Sequence, residues 1–312
     1  MGLVKTFKVG AFPVKEGVLV RGRNHYDVAI KKSNGNILLD KGNIKFISRL
    51  PIIFIRGIIS MIENGALWIK MLLYSAEYFD LEEQNDADIE LLSKEELLNK
   101  QDRIKAENAQ SWLIFSVILI SLLILTATFF ILPSYIASTF FDNVREESWL
   151  WFNLVKYSSR VILMYLYFII FKSLGGIFKK TRQYNCASKK AMNCFEAGKE
   201  LTLENVKKSS NFHPRSLEYI LALTVVFYSV ASVFIKLDNL FFDILIKLGI
   251  LILSINISYE VSRLFGMFNG KVSRALAMIF GMWVECFTVT EPSDMQIYIA
   301  IAGIENSMIE ED

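Results

Sequence analysis

The run from Ser111 to Ala137 contains no charged residue, and this feature most constrains what the chain can fold into. About 20 consecutive apolar residues suffice for a helix to cross the hydrocarbon core of a bilayer. Three further apolar runs follow, at 149–174, 217–235 and 240–259. Hydrophobic residues make up 53% of the chain and its mean hydropathy is +0.36, which is too apolar for an ordinary soluble domain. We therefore predict a mainly α membrane protein with four transmembrane helices.

An earlier apolar segment, Leu50–Phe79, carries charged residues at every seventh position: Arg56, Glu63, Lys70 and Glu77. Seven residues are close to two helical turns, so these charges lie on one stripe of a single helix. Exposing such charges to lipid costs roughly 2.5–3.5 kcal/mol each on insertion scales. We predict that this amphipathic helix is re-entrant or interfacial and does not cross the membrane.

The distribution of positive charge predicts the orientation. Residues 177–215 contain nine lysines and arginines, whereas residues 141–148 contain one arginine and three acidic residues. Because cytoplasmic loops carry the excess of Lys and Arg, the basic segment is expected inside. Both termini then lie on the cytoplasmic side as well. No signal-peptide core is present in the first residues, so we expect no cleavage.

The chain ends are predicted to build a small mixed α/β cytoplasmic domain together with the central basic segment. The Asn34-Gly35 pair between two β-prone runs is typical of a tight hairpin turn. Residues 287–290 resemble a strand, and the apolar segment up to Ile304 is either helix or strand. The predicted division is a strand-rich segment 1–49, the interfacial helix 50–79, an acidic helical connector 80–110, a transmembrane pair 111–176, a basic loop 177–213, a second transmembrane pair 214–264 and a C-terminal segment 265–312.

Residue types that support metal or nucleophilic chemistry are scarce. His25 and His213 are the only histidines, and neither has a second ligand at helical spacing. We predict no cofactor, with metal binding left as an open alternative. The three cysteines form no even framework, so no disulfide is expected. The aromatic residues of the basic N-terminal segment do not alternate with its basic residues as a base-stacking platform would need, which argues against a nucleic-acid partner.

Charged residues within the apolar runs are more specific candidates. Asp243 and Lys247 lie four residues apart in the fourth run and could pair on one helix face. Tyr259, Glu260 and Arg263 form a second group at its cytoplasmic end. Charged groups inside a membrane mark functional sites or structural ion pairs between helices, and the sequence leaves both open. The functional alternative would be a small transporter.

Several motifs together resemble the YqhQ-like family of bacterial membrane proteins, a domain of unknown function predicted to be a metal-dependent enzyme. The similar segments are Glu16–Gly22, Arg56-Gly57, Phe195–Thr202, His213-Pro214-Arg215, Ile257–Leu264 and Thr288–Pro292. The resemblance covers nearly the whole chain. It implies a multi-pass protein of the bacterial cytoplasmic membrane.

The departures from the family pattern bear on function. Where the family has Y-H-G-A-E-H-K, this chain has Tyr184-Asn185-Cys186-Ala187-Ser188-Lys189-Lys190, without either histidine or the glutamate. Lys189 would repel a divalent cation. The family's H-P-R-C-G-T becomes His213-Pro214-Arg215-Ser216-Leu217-Glu218. The resemblance therefore implies a member that has lost the metal-like motif.

These observations lead us to expect a non-catalytic interaction or assembly subunit whose partners are the lipid bilayer and other membrane proteins or a paralogue. The alternatives are a metal-dependent enzyme acting on a membrane or lipid-linked substrate, and a small transporter. We expect Arg56 and Glu63 to face either the cytoplasmic domain or the polar ends of the spans, where they could meet Glu260 and Arg263. The candidate functional or structural residues are Glu16, Arg21, Arg56, Glu63, Lys70, His213, Arg215, Asp243, Lys247, Tyr259, Glu260 and Arg263.

Overall fold

The structure is a computed structural model that describes residues 10–22, 24–32, 35–43, 55–85, 116, 120, 124, 128, 132–141, 143, 147–235, 240–267 and 289–308. The described part is mainly helical, with one small antiparallel sheet. The strands are β1 (Gly10–Val14), β2 (Gly17–Arg21), β3 (His25–Lys31) and β4 (Ile37–Asn43). The helices are α1 (Arg56–Asn85), α2 (Leu132–Phe140), α3 (Trp149–Ser173), α4 (Ile177–Glu196), α5 (Leu203–Lys207), α6 (Leu217–Val233), α7 (Leu240–Met267) and α8 (Asp294–Met308).

The four strands pair in chain order, β1-β2-β3-β4, through antiparallel hairpins. The predicted hairpin is confirmed, with Lys31 opposite Ile37 and Gly35 at a φ of +85° in the turn. Successive side chains in β2 point to opposite faces of the sheet, and both faces are apolar. A sheet with two apolar faces has to pack against other elements on both sides.

Two separate hydrophobic cores form, one on each face of the sheet. On one face Val18 and Val20 pack with apolar side chains of α4 and α8, such as Ala187 and Ile301. On the other face the core consists of Val14, Leu19, Val28, Ile30, Leu67 and Met71. The sheet is therefore the middle layer of an α/β/α domain. Residues of the N-terminal strands, the central segment and the C-terminal helix thus share one hydrophobic core, and the predicted domain division stays a prediction.

Two helices, α4 and α5, occupy most of the predicted basic loop at 177–213, although the sequence pattern indicated neither of them. The buried residues Tyr184, Ala187, Ala191 and Cys194 recur every three or four positions and form an apolar helix face. The many lysines of this segment made the helical spacing of its apolar residues hard to recognise in the sequence.

The bounds of other elements also differ from the predicted ones. In α1 the helix continues past residue 80, α7 continues past residue 259, and the described residues 289–290 of the predicted 287–290 strand lack regular secondary structure.

Helices α3, α6 and α7 pack side by side next to this domain. Tyr219 and Leu223 near the start of α6 pack against Val261 and Phe265 near the end of α7, so these two helices are antiparallel, as predicted. The Arg160 guanidinium of α3 lies between the rings of Tyr157 and Tyr228, 4.8 and 4.6 Å from their centroids. This stacking joins α3 to α6.

Among the described residues one helical stretch, Leu245–Gly266 in α7, is long and apolar enough to cross a membrane. The apolar helix α6 is shorter than that criterion requires. Most of the predicted first span, Ser111–Ala137, lies outside the described residues, as does the run 271–286. The structure thus contains one clear candidate span, and the four-span arrangement stays a prediction.

Candidate functional site

Buried and half-buried polar side chains meet where the α/β/α domain joins α6 and α7. We call this group the junction cluster. These side chains come from the start of α1, from α4, from the loop before α6, from the first turn of α6 and from the last turns of α7. Its members are Arg56, Asn185, Lys189, Glu196, His213, Arg215, Glu218, Asn256, Tyr259 and Glu260.

The first contact joins α1 to α7. The Nε of Arg56 donates to Oε1 of Glu260 at 2.5 Å, and a second guanidinium nitrogen donates to Oε2, which makes a bidentate pair. The next residue, Gly57, donates its backbone N–H to Oδ1 of Asn256 at 3.1 Å. A Cβ at Gly57 would lie 2.8 Å from that oxygen and 3.1 Å from the Cα of Asn256. The expected meeting of Arg56 and Glu260 is present, and the helices touch because position 57 is glycine.

Glu63 contacts the sheet, which is one of the two places expected for it. It pairs with Arg21 of β2 at 3.6 Å, and the same guanidinium donates to Asn64. Arg263 and Lys70 lie on exposed faces of their helices. The seven-residue seam of α1 is therefore divided, because Arg56 contacts α7 whereas Glu63 contacts the sheet.

The second contact centres on His213, which is fully buried. Its Nε2 lies 3.3 Å from Oε2 of Glu196, and its Nδ1 accepts the backbone N–H of Arg215 at 3.3 Å. An accepting Nδ1 carries no proton, so the ring is neutral and Nε2 donates to Glu196. Burial and the nearby Lys189 ammonium agree with this assignment, since they lower the pKa of His213 to about 3.

Arg215 completes the same group from the loop before α6. Its guanidinium donates to the second carboxylate oxygen of Glu196. Burial lowers the pKa of Arg215 to about 10, so it is still protonated at neutral pH. Its aliphatic part packs on α7, where a Cβ at Gly266 would lie 3.0 Å from the Arg215 Cδ. The Oγ of Ser262 also donates to the Pro214 carbonyl at 2.7 Å. The loop is thereby fixed to α7.

The third contact joins α4 to α6 through a buried ion pair. The Nζ of Lys189 lies 3.2 Å from Oε2 of Glu218, and Nδ2 of Asn185 donates to the other oxygen. Sequence reasoning noted the unusual Lys189 and the unusual Glu218 separately but proposed neither as a site. Both residues depart from the family pattern, and these departures were the signal that could have identified the site. In the structure the two side chains form one ion pair.

Glu16 lies outside the junction cluster, at the tip of the β1–β2 hairpin. It has a φ of +51°, a left-handed conformation that costs a non-glycine residue energy. Its carboxylate accepts from Lys180 Nζ at 2.5 Å and from the Tyr184 hydroxyl at 3.2 Å. Burial, with Glu16 alongside, raises the pKa of the Tyr184 hydroxyl. The hairpin tip is thus tied to α4.

The remaining sequence candidates contribute less. Lys247 is half-buried on α7, and the side chain of Asp243 lies outside the described residues, so their pairing stays a prediction. Tyr259 interacts electrostatically with both Arg56 and Arg215. Cys186 and Cys194 are free and buried, and burial raises the pKa of both thiols. Within the part of the chain that the structure describes, no group of three or more His, Cys, Asp or Glu side chains could hold a metal.

Comparison with known proteins adds the family. The family model "Protein of unknown function (DUF1385)" matches residues 50–310, which include every member of the junction cluster. The chain belongs to the DUF1385 family. It is also similar to the uncharacterized protein YqhQ of Bacillus subtilis (strain 168), with 27% identity over 303 residues that cover 94% of this chain and 89% of the relative. No solved structure matches.

These findings confirm the YqhQ-like resemblance of this DUF1385 protein. The family match begins at residue 50 and so leaves out the sheet, whereas the match to YqhQ covers enough of the chain to include part of the N-terminal segment. Neither description states an activity.

Proposed function

We propose that this DUF1385 protein is a multi-pass protein of the bacterial cytoplasmic membrane, with both termini in the cytoplasm, that acts as a non-catalytic interaction or assembly subunit. Support for the membrane location comes from the exposed apolar side chains of α3, α6 and α7. Those of α7 include Leu245, Leu248, Ile252 and Leu253, on a helix long enough to span. Such a surface is costly in water and suited to lipid.

The observation that carries the non-catalytic role is the internal matching of the junction charges. Arg56 pairs with Glu260, Arg215 with Glu196, and Lys189 with Glu218. Both ring nitrogens of His213 are also engaged. A catalytic centre directs such groups toward a substrate, whereas these groups hold chain segments to one another. The arrangement fits a scaffold that fixes the α/β/α domain on the membrane helices.

The interfacial position of α1 is part of the proposal. Arg56 and Gly57 face α7, while Ile55 and Ile62 are 51% and 65% exposed and lie seven residues apart on another face. A helix with a polar face against protein and an apolar face outward suits the boundary between headgroups and acyl chains. The later turns of α1, which cover the sheet, would then leave the membrane surface.

The proposed role is tested by mild-detergent purification of the tagged full chain from bacterial membranes, followed by mass spectrometry of co-purifying proteins and elemental analysis of bound metal. We expect a reproducible membrane-protein partner at near-equal amount and no stoichiometric metal. Stoichiometric Zn²⁺ or Mn²⁺ would overturn the non-catalytic role and favour a metal-dependent enzyme.

The topology is tested separately with reporters. A reporter fused after Asp312 should be active only as a cytoplasmic fusion, and one inserted at residues 142–146 should be active only outside. A periplasmic C-terminus would overturn the four-span arrangement. Release of the protein from membranes by alkaline carbonate would overturn integration altogether.

A further inference from the structure

The elbow between α3 and α4 presents basic and apolar side chains together. Helix α3 ends at Ser173 and α4 begins at Ile177. Gly176 between them has a φ of +59° and a ψ of −129°, a conformation open to glycine. Among the described residues no atom lies within 4 Å of a Cβ at Gly176, so it is the backbone angles that favour glycine here. The chain can therefore turn abruptly from a predicted span into the α/β/α domain.

Arg182 of α4 fixes the shape of this elbow. It is buried, and its guanidinium donates to the carbonyl of Lys172 at 3.0 Å and to that of Leu174 at 2.9 Å. These carbonyls end α3, where a cation is favourable. The same guanidinium donates to the Thr290 hydroxyl at 3.3 Å. The elbow is thus held by the domain, and the direction of its exposed side chains is set in advance.

The exposed side chains of the elbow are of two kinds. Leu174 and Phe178 are 40% and 51% exposed, which is costly for large apolar groups in water. Lys172 and Lys179 are exposed beside them. Apolar groups flanked by lysines at the cytoplasmic end of a span are the pattern of a segment that rests in anionic headgroups.

We infer that this elbow is a binding surface for anionic phospholipid, with Lys172 and Lys179 contacting headgroup phosphate and Phe178 entering the acyl boundary. The inference rests on the proposed membrane location and deepens it by naming the lipid class. The fixed elbow keeps both lysines close to the same headgroups. Attraction between exposed lysines and lipid phosphate is screened by salt, so binding should weaken as ionic strength rises.

The test uses the purified full chain in neutral detergent, with fluorescently labelled phosphatidylglycerol and phosphatidylcholine as probes. Lys172→Gln/Lys179→Gln should weaken phosphatidylglycerol binding by roughly 25-fold, at about fivefold per lysine, and leave phosphatidylcholine unchanged. Phe178→Ser should weaken both lipids. Lys172→Arg/Lys179→Arg should bind like the natural protein, which controls for folding.

Lys207→Gln/Lys208→Gln is the matched control, because it removes the same charge from α5, where these lysines pair with Asp294 and Glu204. Equal losses in both double variants, or equal binding of the two lipids, would overturn the inference. Displacement of the labelled lipid by an equal concentration of inorganic phosphate would also overturn it in favour of a free-anion site. If the protein resists carbonate extraction but shows no lipid preference, only this inference fails and the proposed location stands.

Discussion

The junction cluster and the α/β/α domain are held together by different forces. The domain rests on two apolar cores, one on each face of the sheet, and its surface ion pairs, such as Lys208 with Glu204, are exposed. The junction rests on buried charges, a neutral histidine and a close helix approach at Gly57. Apolar cores tolerate many substitutions of similar volume, whereas buried polar contacts depend on each partner. Single changes at the junction should therefore have the larger effects.

The largest expected effect follows from removing one side of the buried Lys189–Glu218 pair. Lys189→Met leaves the Glu218 carboxylate without its cation in a partly desolvated place, and breaking such a pair costs about 3–5 kcal/mol. Lys208→Met on the domain surface should cost at most about 1 kcal/mol. Thermal unfolding of both variants in the same detergent measures the difference.

Lys189→Met/Glu218→Leu separates charge from packing. Because both charges are gone, this double variant should recover most of the lost stability. A double variant as unstable as Lys189→Met would mean that volume, and not the unpaired carboxylate, is responsible. Equal melting temperatures for Lys189→Met and Lys208→Met would remove the contrast between junction and surface.

A second effect, of about 1–3 kcal/mol, is expected from Gly57→Ala. The new methyl would lie 2.8 Å from Oδ1 of Asn256, so α1 has to move away from α7 and strain the Arg56–Glu260 pair. Gly65→Ala in the same helix is the control, because no atom of the described residues lies within 4 Å of a Cβ at that position. Alanine favours helix there by up to about 1 kcal/mol. A lower melting temperature for Gly57→Ala and a higher one for Gly65→Ala would sharpen the comparison. Equal changes in melting temperature would contradict close packing at residue 57.

Sequence reasoning captured the parts of this molecule that depend on local pattern. The β3–β4 hairpin followed from Asn34-Gly35, and the contact between Arg56 and Glu260 followed from the charged seam and the family motif. Helix α4 was not predicted, because its many lysines obscure the helical spacing of its apolar residues in the sequence. The Lys189–Glu218 pair could not be predicted, because it depends on how α4 approaches the start of α6. The spacing of residues along the chain does not determine that tertiary arrangement.

A third effect concerns pH and His213. Its pKa in the folded state is about 3, below the usual 6.5, so protons bind preferentially to the unfolded chain. This contribution to stability is fully present above pH 6.5 and is lost as the pH falls toward 3. The slope should be about 1.4 kcal/mol per pH unit in that window.

His213→Gln isolates this contribution. Glutamine cannot titrate, so the variant should be less stable at pH 7.5 but should lose less stability between pH 6.5 and 5.5 than the natural protein. Melting temperatures across that range give the answer. Parallel pH profiles for the two proteins would mean that the imidazole of His213 does not carry the pH dependence of stability in this range.

The smallest effect is expected in the domain, at Glu16. Glu16→Gly loses the contacts with Lys180 and Tyr184 but relieves a left-handed backbone that costs roughly 1–2 kcal/mol in other residues. The two terms nearly cancel, so its melting temperature should stay close to that of the natural protein. Glu16→Ala loses the contacts and keeps the strain, so it should be less stable than Glu16→Gly by about 1 kcal/mol. If Glu16→Gly lowered the melting temperature as much as Lys189→Met, the contrast between domain and junction would be contradicted. A polar contact of the domain would then matter as much to stability as the ion pair at the junction.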